Sequence, residues 1–482
     1  MSILAIDQGT TSTRAILVAA DGTARTLHAA THKQHYPGPG HVEHDPRVLL
    51  TNVRAGLDAA ASVPDLDAVG LANQGESCLA WNRHTGEPIT PVIVWQDDRT
   101  RGDIKRLRQE GHEPQARERT GLPLDPYFSA SKLGWILREI PEAARLAGSG
   151  ALSLGTTDAF FRQHLTGRCE TDVTTASRTG LMNLASLTWD AELCALYGVP
   201  ADALPPIGPS AGPLGTVRVG SRDKPLAASL VDQQAALYGH GCTNPGDAKI
   251  TCGTGAFMLC VTGSEPPAGS KGALPTVLWQ RAGQAPRYGL DGAVYSAAAA
   301  VNWAQGLGLF KSFDEIERFD APPAIGRGLA FVPALSGLAC PRWDRSARGA
   351  FLGLSLDTTP RDMMQAVLEG IALRLAEVAA AIDAEQTLAD TLPLDGGLSV
   401  NPYFTRFLAD CTGRTLRIAD IPDVTAIGTA RLAAEAVSVR CAVPGNGRLV
   451  HPQPLGFDAA SRFRTAVEAA VHFAAAMDAD AN

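Results

Sequence analysis

The first group of residues able to do chemistry lies near the start of the chain, in Asp7-Gln8-Gly9-Thr10-Thr11-Ser12-Thr13-Arg14. A tight loop with a glycine and consecutive hydroxyls offers N–H and O–H donors to phosphate oxygens, and Arg14 adds a permanent, forked positive charge. Asp7 can hold the water shell of Mg²⁺, which prefers one or two carboxylates together with phosphate oxygens. The segment therefore predicts a phosphate-binding loop with a metal-associated carboxylate. The alternative is an ordinary polar hairpin turn.

A candidate for proton transfer lies in Leu230-Val231-Asp232-Gln233-Gln234. A carboxylate can accept a proton from a hydroxyl group, and a glutamine can orient that hydroxyl. The segment thus predicts a site at which Asp232 activates a substrate hydroxyl. The alternative is an aspartate that only caps a surface helix.

Two glycine-rich loops follow in the second half, Gly253-Thr254-Gly255 and Asp395-Gly396-Gly397. The second loop leads to Asn401-Pro402, where Asn401 is a good N-cap and Pro402 suits the first helical position. Paired glycines let a flat ligand approach the backbone, and a helix N-terminus favours anions. The alternative is a glycine-rich turn between a strand and a helix that binds nothing.

The elements that must position these residues alternate between strand-like and helix-like runs, which predicts an α/β fold. The first half opens with the strand-like runs 3–6 and 15–18 around the hydroxyl-rich loop, and Asp21-Gly22 provides a hairpin turn. The second half opens with the runs 249–252 and 256–261 around Gly253-Thr254-Gly255. Two such hairpins predict two related domains that face one another.

The boundary between the halves is placed at Gly241–Gly246, just before the second hairpin. The predicted domains are residues 1–244, with the substrate site and the first phosphate loop, and residues 245–445, with the nucleotide site. Residues 446–482 form a tail. Helices are predicted over 360–382, 426–439 and 459–477, and a loop over 443–457.

Composition restricts the classes of protein that remain possible. The 482 residues are 45% hydrophobic and 19% charged with a net charge of -8 and no long basic run, so neither nucleic acid nor an anionic membrane surface is an expected partner. No membrane span or signal peptide is recognised. Nine scattered cysteines without a C-x-x-C pair are typical of reduced thiols in a cytoplasmic protein rather than of disulfides or a zinc site.

Taken in order, these motifs resemble the FGGY carbohydrate kinases and, within that family, the glycerol kinases. The resemblance extends from Ile3 to about Val439. The two family signatures are matched by Tyr127–Glu139 and by Gly349–Leu354, the latter continuing to Glu369-Gly370-Ile371. The segments similar to glycerol kinases are Tyr36–Pro46, Ile93–Gln96 and Phe331–Ala334 through Arg348-Gly349.

The resemblance implies two actin-like (ribonuclease H-like) domains facing a central cleft, the fold of sugar kinases, actin and Hsp70. It implies ATP-dependent phosphorylation of a hydroxyl of a small polyol, glycerol or a close relative, with ATP and Mg²⁺ as cofactors. It also implies a homo-oligomer, either a dimer or a tetramer.

Matching the family motifs assigns a role to each site residue. The residues implied to contact the nucleotide phosphates are Thr10, Thr11, Ser12, Arg14 and Thr254. Those implied to line the adenosine are Gly397 and Asn401. Ala298 and Asn302 stand where the family usually has Gly and Gln near the nucleotide. Asp232 is the implied general base, and the residues implied to bind the polyol with it are Glu76, Trp95, Tyr127, Gln233 and Phe257.

One departure from the family pattern concerns the substrate. Glycerol kinases carry an Arg that grips two glycerol hydroxyls where this chain has Gly75, and Asp98 stands where an Arg is common. Loss of that guanidinium removes charge-assisted hydrogen bonds worth roughly 1.5–3 kcal/mol each where buried. Three alternatives follow: a larger substrate such as erythritol, a pentitol or a ketopentose; glycerol held more weakly; or another arginine that reaches in. A different class also remains, a non-catalytic ATP-binding relative on the same fold.

Overall fold

Two large β-sheets, one from each half of the chain, organise the molecule. The computed structural model describes residues 1–420, 423–443, 445 and 447–479. The strands of this described part are β1 (Ser2–Gln8), β2 (Ser12–Ala19), β3 (Ala24–Thr31), β4 (Glu43–His44), β5 (Leu66–Asn73), β6 (Cys78–Asn82), β7 (Val92–Ile93), β8 (Leu152–Thr156), β9 (Thr171–Asp172), β10 (Met182–Asn183), β11 (Thr188–Trp189), β12 (Ile207–Gly208), β13 (Thr216–Val219), β14 (Arg222–Val231), β15 (Ala248–Cys252), β16 (Ala256–Gly263), β17 (Leu274–Trp279), β18 (Arg287–Val294), β19 (Ala330–Val332), β20 (Ala350–Leu352), β21 (Thr391–Asp395), β22 (Thr415–Ala419) and β23 (Gly447–Val450).

Helices connect and cover the sheets. They are α1 (Pro46–Ala59), α2 (Arg101–Gln109), α3 (Glu113–Thr120), α4 (Ser129–Glu139), α5 (Pro141–Gly148), α6 (Thr157–Thr166), α7 (Val173–Ala176), α8 (Ala191–Tyr197), α9 (Asp232–Gly239), α10 (Ala298–Gly306), α11 (Pro360–Asp383), α12 (Pro402–Thr412), α13 (Val424–Ala436) and α14 (Ala459–Ala479). Short 3₁₀ turns lie at Ala201–Ala203, Phe313–Ile316, Ile325–Arg327 and Gly397–Val400. Across the described ranges, no helix is both long and apolar enough to cross a membrane.

The first sheet brings the amino-terminal chemistry and the Asp232 segment to one edge. Its strand order is β13-β14-β5-β1-β2-β3. β1, β5 and β14 run parallel, and both Gln8 and Val231 lie opposite Asn73. The carboxyl ends of three adjacent strands therefore meet, which is where open α/β sheets bind ligands. Asp7 and Asp232 are consequently neighbours although most of the first half of the chain separates them.

Alternate residues of β1 supply two different cores. Leu4 and Ile6 belong to a buried cluster that includes α1, whereas Ile3 and Ala5 belong to a cluster that includes α13. Because successive side chains of a strand point to opposite faces, α1 and α13 cover opposite faces of the first sheet. The strand is buried along its whole length, so the carboxyl end that carries Asp7 is rigidly held.

The second sheet repeats the arrangement. Its strand order is β17-β18-β16-β15-β21-β22-β23. β15 and β16 form the second predicted hairpin, and Thr251 of β15 lies opposite Asp395 of the parallel strand β21. The two glycine-rich loops that follow these strands therefore leave the sheet at the same edge. The predicted α/β class is confirmed.

Two helices cross between the sheets at very close range. A Cβ on Gly428 of α13 would lie 1.8 Å from the carbonyl oxygen of Ala235 and 2.6 Å from the amide nitrogen of Gly239, both in α9. Only glycine allows this approach. α13 follows β22 of the second sheet in sequence but packs on the first sheet, and its buried cluster also includes Leu259 of β16. The crossing thus ties the two halves together directly behind Asp232, the first residue of α9.

Two element predictions needed correction. The range 443–457 was expected to be a loop, yet Gly447–Val450 forms β23 and pairs antiparallel with β22; Pro444 and Asn446 lie outside the described residues. A four-residue edge strand is specified by its neighbour, not by its own composition. α13 ends at Ala436, before the predicted position 439, because Ser438 adopts a left-handed φ of 59°.

Candidate active site

A small cavity of about 120 Å³ lies at the carboxyl edge of the first sheet. It brings together all the residues that the sequence assigned to the polyol. Its lining consists of Thr10, Gln74, Gly75, Glu76, Trp95, Tyr127, Arg178, Val231, Asp232, Gln233, Gln234, Phe257, Leu259 and Asp291. Phe257, Leu259 and Asp291 come from the second sheet, so the cavity lies in the cleft between the two halves.

Asp232 occupies the first turn of α9 and is not a surface cap. The N-cap is Val231, and the Oδ1 atom of Asp232 accepts a 2.7 Å hydrogen bond from the Gln233 amide. The pKa of its carboxyl is raised to about 7, first by burial and then by the negative charge of Asp7, against the opposing charge of Lys249. Such a carboxyl exchanges a proton near neutral pH, as a general base requires.

Arg14 joins the first phosphate-loop candidate to the second half of the chain. Its Nη2 donates to Oδ2 of Asp7 at 2.8 Å, and its Nη1 donates to Asp423. Burial raises the pKa of Asp7, although Arg14 opposes that shift. These two ion pairs hold the Arg14 side chain in place, and the rest of that side chain faces the cleft. Thr11 is exposed and Ser12 is partly exposed in the same loop.

Aromatic side chains connect the hydroxyl loop to the small cavity. The indole Nε1 of Trp95 donates to Oγ1 of Thr10 at 3.0 Å. Its ring packs edge-on against Tyr127 with 5.6 Å between centroids, and Phe257 faces them from β16. A displacement of Thr10 would therefore move Trp95, which forms part of the wall of the small cavity.

A buried ion-pair chain, which the sequence did not reveal, forms one side of this cavity. Nε of Arg178 donates to Oε1 of Glu76 at 2.7 Å, and Nη2 contacts Oδ2 of Asp291 at 2.9 Å. The guanidinium also lies 5.8 Å from the Tyr127 ring centroid. Arg178 and Glu76 are 102 residues apart in sequence. No local spacing marks either Arg178 or Asp291, so only the fold could bring them together.

The backbone at Gly75 borders open space. A Cβ at this position would meet only Cγ1 of Val231, at 3.4 Å. Asp98, the other departure from the family pattern, forms an ion pair with Arg101. Of the arginines in the described chain, Arg178 is the one that lines the small cavity, so the alternative of an arginine from elsewhere has a structural candidate.

A second, larger cavity of about 520 Å³ adjoins the first. This volume falls in the range typical of small-molecule and cofactor sites. Its lining consists of Arg14, Gln233, Ala236, Thr251, Asp395, Gly396, Ser399, Ala419, Asp420, Val424 and Thr425. Gln233 lines both cavities, so they meet beside Asp232.

A buried lysine spans this junction. Nζ of Lys249 donates to Oε1 of Gln233 and, at 2.7 Å, to Oγ1 of Thr251. Burial lowers its pKa, although the carboxylates of Asp395 and Asp232 oppose that shift. Lys249 therefore holds Gln233 in place and places positive charge near the candidate base. Lys249 was not among the predicted site residues, although it lies in the strand that leads to the predicted Gly253-Thr254-Gly255 loop.

The other predicted nucleotide residues do not line the larger cavity in the described structure. The carbonyl of Thr254 accepts N–H bonds from Ala297 and Ala299, which ties the exposed second loop to the start of α10. Ala298 and Asn302 lie on that helix, and Asn302 is exposed.

Gly397 and Asn401 differ in whether they leave a surface or polar atoms available to a ligand. Gly397 is exposed and has no neighbouring atom within 4 Å of a Cβ position, so a flat ligand can approach it. Asn401 caps α12 by accepting from the Phe404 amide at 2.8 Å, and its Nδ2 donates to the Ile316 carbonyl at 3.0 Å. The predicted N-cap is confirmed, and the two hydrogen bonds together occupy both polar atoms of the side chain.

Comparison with known proteins identifies the architecture. The chain matches the FGGY family of carbohydrate kinases, N-terminal domain, over residues 2–239 and the C-terminal domain of the same family over residues 248–437. A glycerol kinase of Alkalilimnicola ehrlichii is 44% identical over 459 residues, 92% of each chain. One of Thermus brockianus is 42% identical, covering 89% of this chain and 88% of its own.

Solved structures agree. The crystal structure of Plasmodium falciparum glycerol kinase with ADP is 28% identical and superposes with a TM-score of 0.88 over 97% of this chain and 98% of that one. A ligand-bound xylulose kinase of Lactobacillus acidophilus, 22% identical, shares the fold with a TM-score of 0.84, over 99% and 98% of the two chains. The predicted actin-like sugar kinase fold is thereby confirmed, and the chain belongs to the FGGY family of carbohydrate kinases.

Proposed function

We propose that this kinase transfers the γ-phosphoryl group of ATP to a primary hydroxyl of glycerol or of a closely related small polyol. The observation that carries the proposal is the junction of the two cavities. A polyol-sized cavity and a nucleotide-sized cavity share Gln233, and Asp232 lies at that junction with its pKa raised to about 7. The glycerol kinases among its relatives support the same acceptor.

The acceptor is activated at Asp232. In the proposed reaction the carboxylate takes the proton of the attacking hydroxyl while that oxygen bonds to the γ-phosphorus and the bond to ADP breaks. Gln233 orients the hydroxyl, since Lys249 holds its amide oxygen. Trp95 and Tyr127 wall the cavity and exclude water, which would otherwise compete as acceptor.

The nucleotide is assigned to the larger cavity. Thr10, Thr11, Ser12 and Arg14 approach its phosphates from the first sheet and Thr254 from the second, while Gly397 lies open to the adenosine. The side-chain polar atoms of Asn401 are already hydrogen-bonded. Asn401 therefore belongs to the proposed nucleotide site only through the backbone of α12 that it caps. Ala298 and Asn302 present small or flexible groups at the edge of the site.

A magnesium ion fits the donor chemistry beside Asp7. Asp7 is buried and Asp232 partly buried. The charges of these neighbouring carboxyls repel, and a cation there would relieve that repulsion. In the described part of the chain, no three His, Cys, Asp or Glu side chains form a metal-binding group. Asp7 would hold the ion together with phosphate oxygens and water, as Mg²⁺ prefers, and the ion would neutralise phosphate charge.

The direct test is identification of the products. Incubation with ATP, Mg²⁺ and glycerol should give ADP and a glycerol phosphate in equal amounts, which ³¹P NMR resolves. Glycerol-independent ATP hydrolysis without a phosphorylated polyol would overturn the proposal. Absence of ATP turnover with every polyol and sugar offered would favour the non-catalytic alternative instead.

The raised pKa of Asp232 predicts a pH dependence. The base must be ionised to accept a proton, and a carboxyl with a pKa of about 7 becomes protonated as the pH falls through that value. We expect kcat/KM, which reports the free enzyme, to fall about tenfold per pH unit below about pH 7. A profile that stays flat down to pH 5.5 would show that Asp232 is not the titrating base.

A further inference from the structure

A second, more enclosed space, here called the distal chamber, adjoins the polyol cavity. Its lining consists of Trp95, Tyr127, Arg178, Gly255, Phe257, Asp291, Ala293, Tyr295 and Trp343. Five of these residues also line the polyol cavity, so the two spaces are adjacent. Asp232 does not line the distal chamber, so a ligand group there would lie away from the reacting hydroxyl. Its volume of about 30 Å³ has room for about two water-sized groups, since one water needs at least about 10–15 Å³.

Buried polar atoms without a partner point to what this space binds. Within the described residues, Nη1 of Arg178, Oδ1 of Asp291 and the hydroxyl of Tyr295 make no hydrogen bond. The Arg178 and Asp291 side chains are only 5% and 8% exposed. Buried polar groups in folded proteins are nearly always paired, because an unpaired one loses its hydration without compensation. A donor, an acceptor and a hydroxyl are the set that the hydroxyl groups of a ligand would satisfy.

The unpaired atoms of Arg178 and Asp291 belong to side chains that other contacts hold in a fixed orientation. Arg178 is anchored at Nε by Glu76 and at Nη2 by the other carboxylate oxygen of Asp291. The remaining nitrogen and oxygen are thus fixed in direction. The chamber walls are aromatic, which matches the usual composition of small-molecule sites, mostly apolar with a few directed polar groups. At Gly75, in the wall of the adjoining polyol cavity, no side chain occupies the space beside the backbone.

We propose that the pocket takes a linear polyol of four or five carbons, with its distal hydroxyls bound by Arg178, Asp291 and Tyr295. This inference rests on the proposed polyol kinase activity and narrows its substrate class. A three-carbon polyol has one hydroxyl at Asp232 and two more to satisfy the groups around Glu76 and Gln74. A longer chain reaches the distal chamber and pairs the atoms that glycerol leaves to water.

The first experiment compares kcat/KM for glycerol, erythritol, threitol, xylitol and ribitol. We expect at least one four- or five-carbon polyol to exceed glycerol by about fivefold or more, the effect of one or two added hydrogen bonds. If glycerol is the best acceptor, this inference is overturned while the proposed function stands. If none of the polyols is phosphorylated, the proposed function fails, and the inference with it.

The second experiment tests the residues. Tyr295→Phe removes only a hydroxyl that has no partner among the described residues, so folding should be preserved, as a thermal melt would verify. The ratio of kcat/KM for the best longer polyol to that for glycerol should fall about fivefold. Tyr288→Phe is the matched control, since Tyr288 lies in β18, the strand that Tyr295 directly follows. Its hydroxyl donates to the Leu184 carbonyl, outside both spaces, and the ratio should stay within twofold. Equal ratios in both variants would overturn the role of the distal chamber.

Discussion

Replacing Asp232 with asparagine is expected to lower kcat by about a hundredfold or more while ATP affinity stays nearly unchanged. Asparagine keeps the size of the side chain and its contact with the start of α9 but cannot accept the proton of the attacking hydroxyl. General-base catalysis typically contributes a factor of about 10²–10⁴. Steady-state kinetics with the best polyol would give kcat, and isothermal titration with an ATP analogue would give the affinity.

The matched control is Asp45→Asn. Asp45 is exposed and caps α1 by accepting from the Arg47 amide at 2.8 Å, and asparagine caps a helix as well as aspartate does. Its kcat should therefore remain within twofold of the parent. If Asp232→Asn turns over within a few-fold of the parent, the base has been assigned to the wrong residue.

Gly428→Ala is expected to destabilise the protein and to slow it. The added methyl group would collide with the backbone of Ala235 and Gly239 in α9, and backbone atoms cannot move aside as a flexible side chain can. Overpacking of this kind costs about 1–3 kcal/mol. Because α9 begins with Asp232, its displacement should also lower kcat about tenfold or more, since misplacement by about 1 Å can cost a hundredfold.

Thermal unfolding and kcat measured on the same preparation would test this expectation. Gly306→Ala is the control, because Gly306 also lies in a helix but a Cβ there has no neighbour within 4 Å. Alanine favours helix over glycine by up to about 1 kcal/mol, so this variant should be as stable as the parent or slightly more so. Unchanged melting and turnover in Gly428→Ala would show that the α9–α13 crossing can relax without consequence.

Local sequence determined the elements and where several of them begin. The helix predicted over 360–382 is Pro360–Asp383, since Thr359 and Asp362 form a capping box that fixes its start. The two hairpins form where glycine and hydroxyl residues interrupt strand-like runs. Asn401 and Pro402 begin a helix as their types predict. These features depend on residues a few positions apart, so the sequence displays them directly.

Asp7 and Asp232, which the sequence assigned to phosphoryl transfer, lie at one edge of the first sheet. Asp7 and Asp232 each follow a strand-like run, and the parallel register brings the ends of those strands together. The roles of the nucleotide residues, from Thr10 to Asn401, stay predictions. The resemblance to a kinase family reached further than any single motif, because the order of many weak motifs along the chain is far more specific than each of them.

Only the tertiary structure decided which distant groups share a pocket. Arg178 meets Glu76 and Asp291 through the packing of separate segments, and α13 crosses to the first sheet because Gly428 permits a close approach to α9. Such contacts arise from shape and burial between elements far apart in sequence, for which no periodicity or spacing gives a sign. The sequence could therefore predict a phosphoryl-transfer site in which Gly75 replaces the arginine of the family pattern. Only the fold showed that Arg178 lines the same cavity.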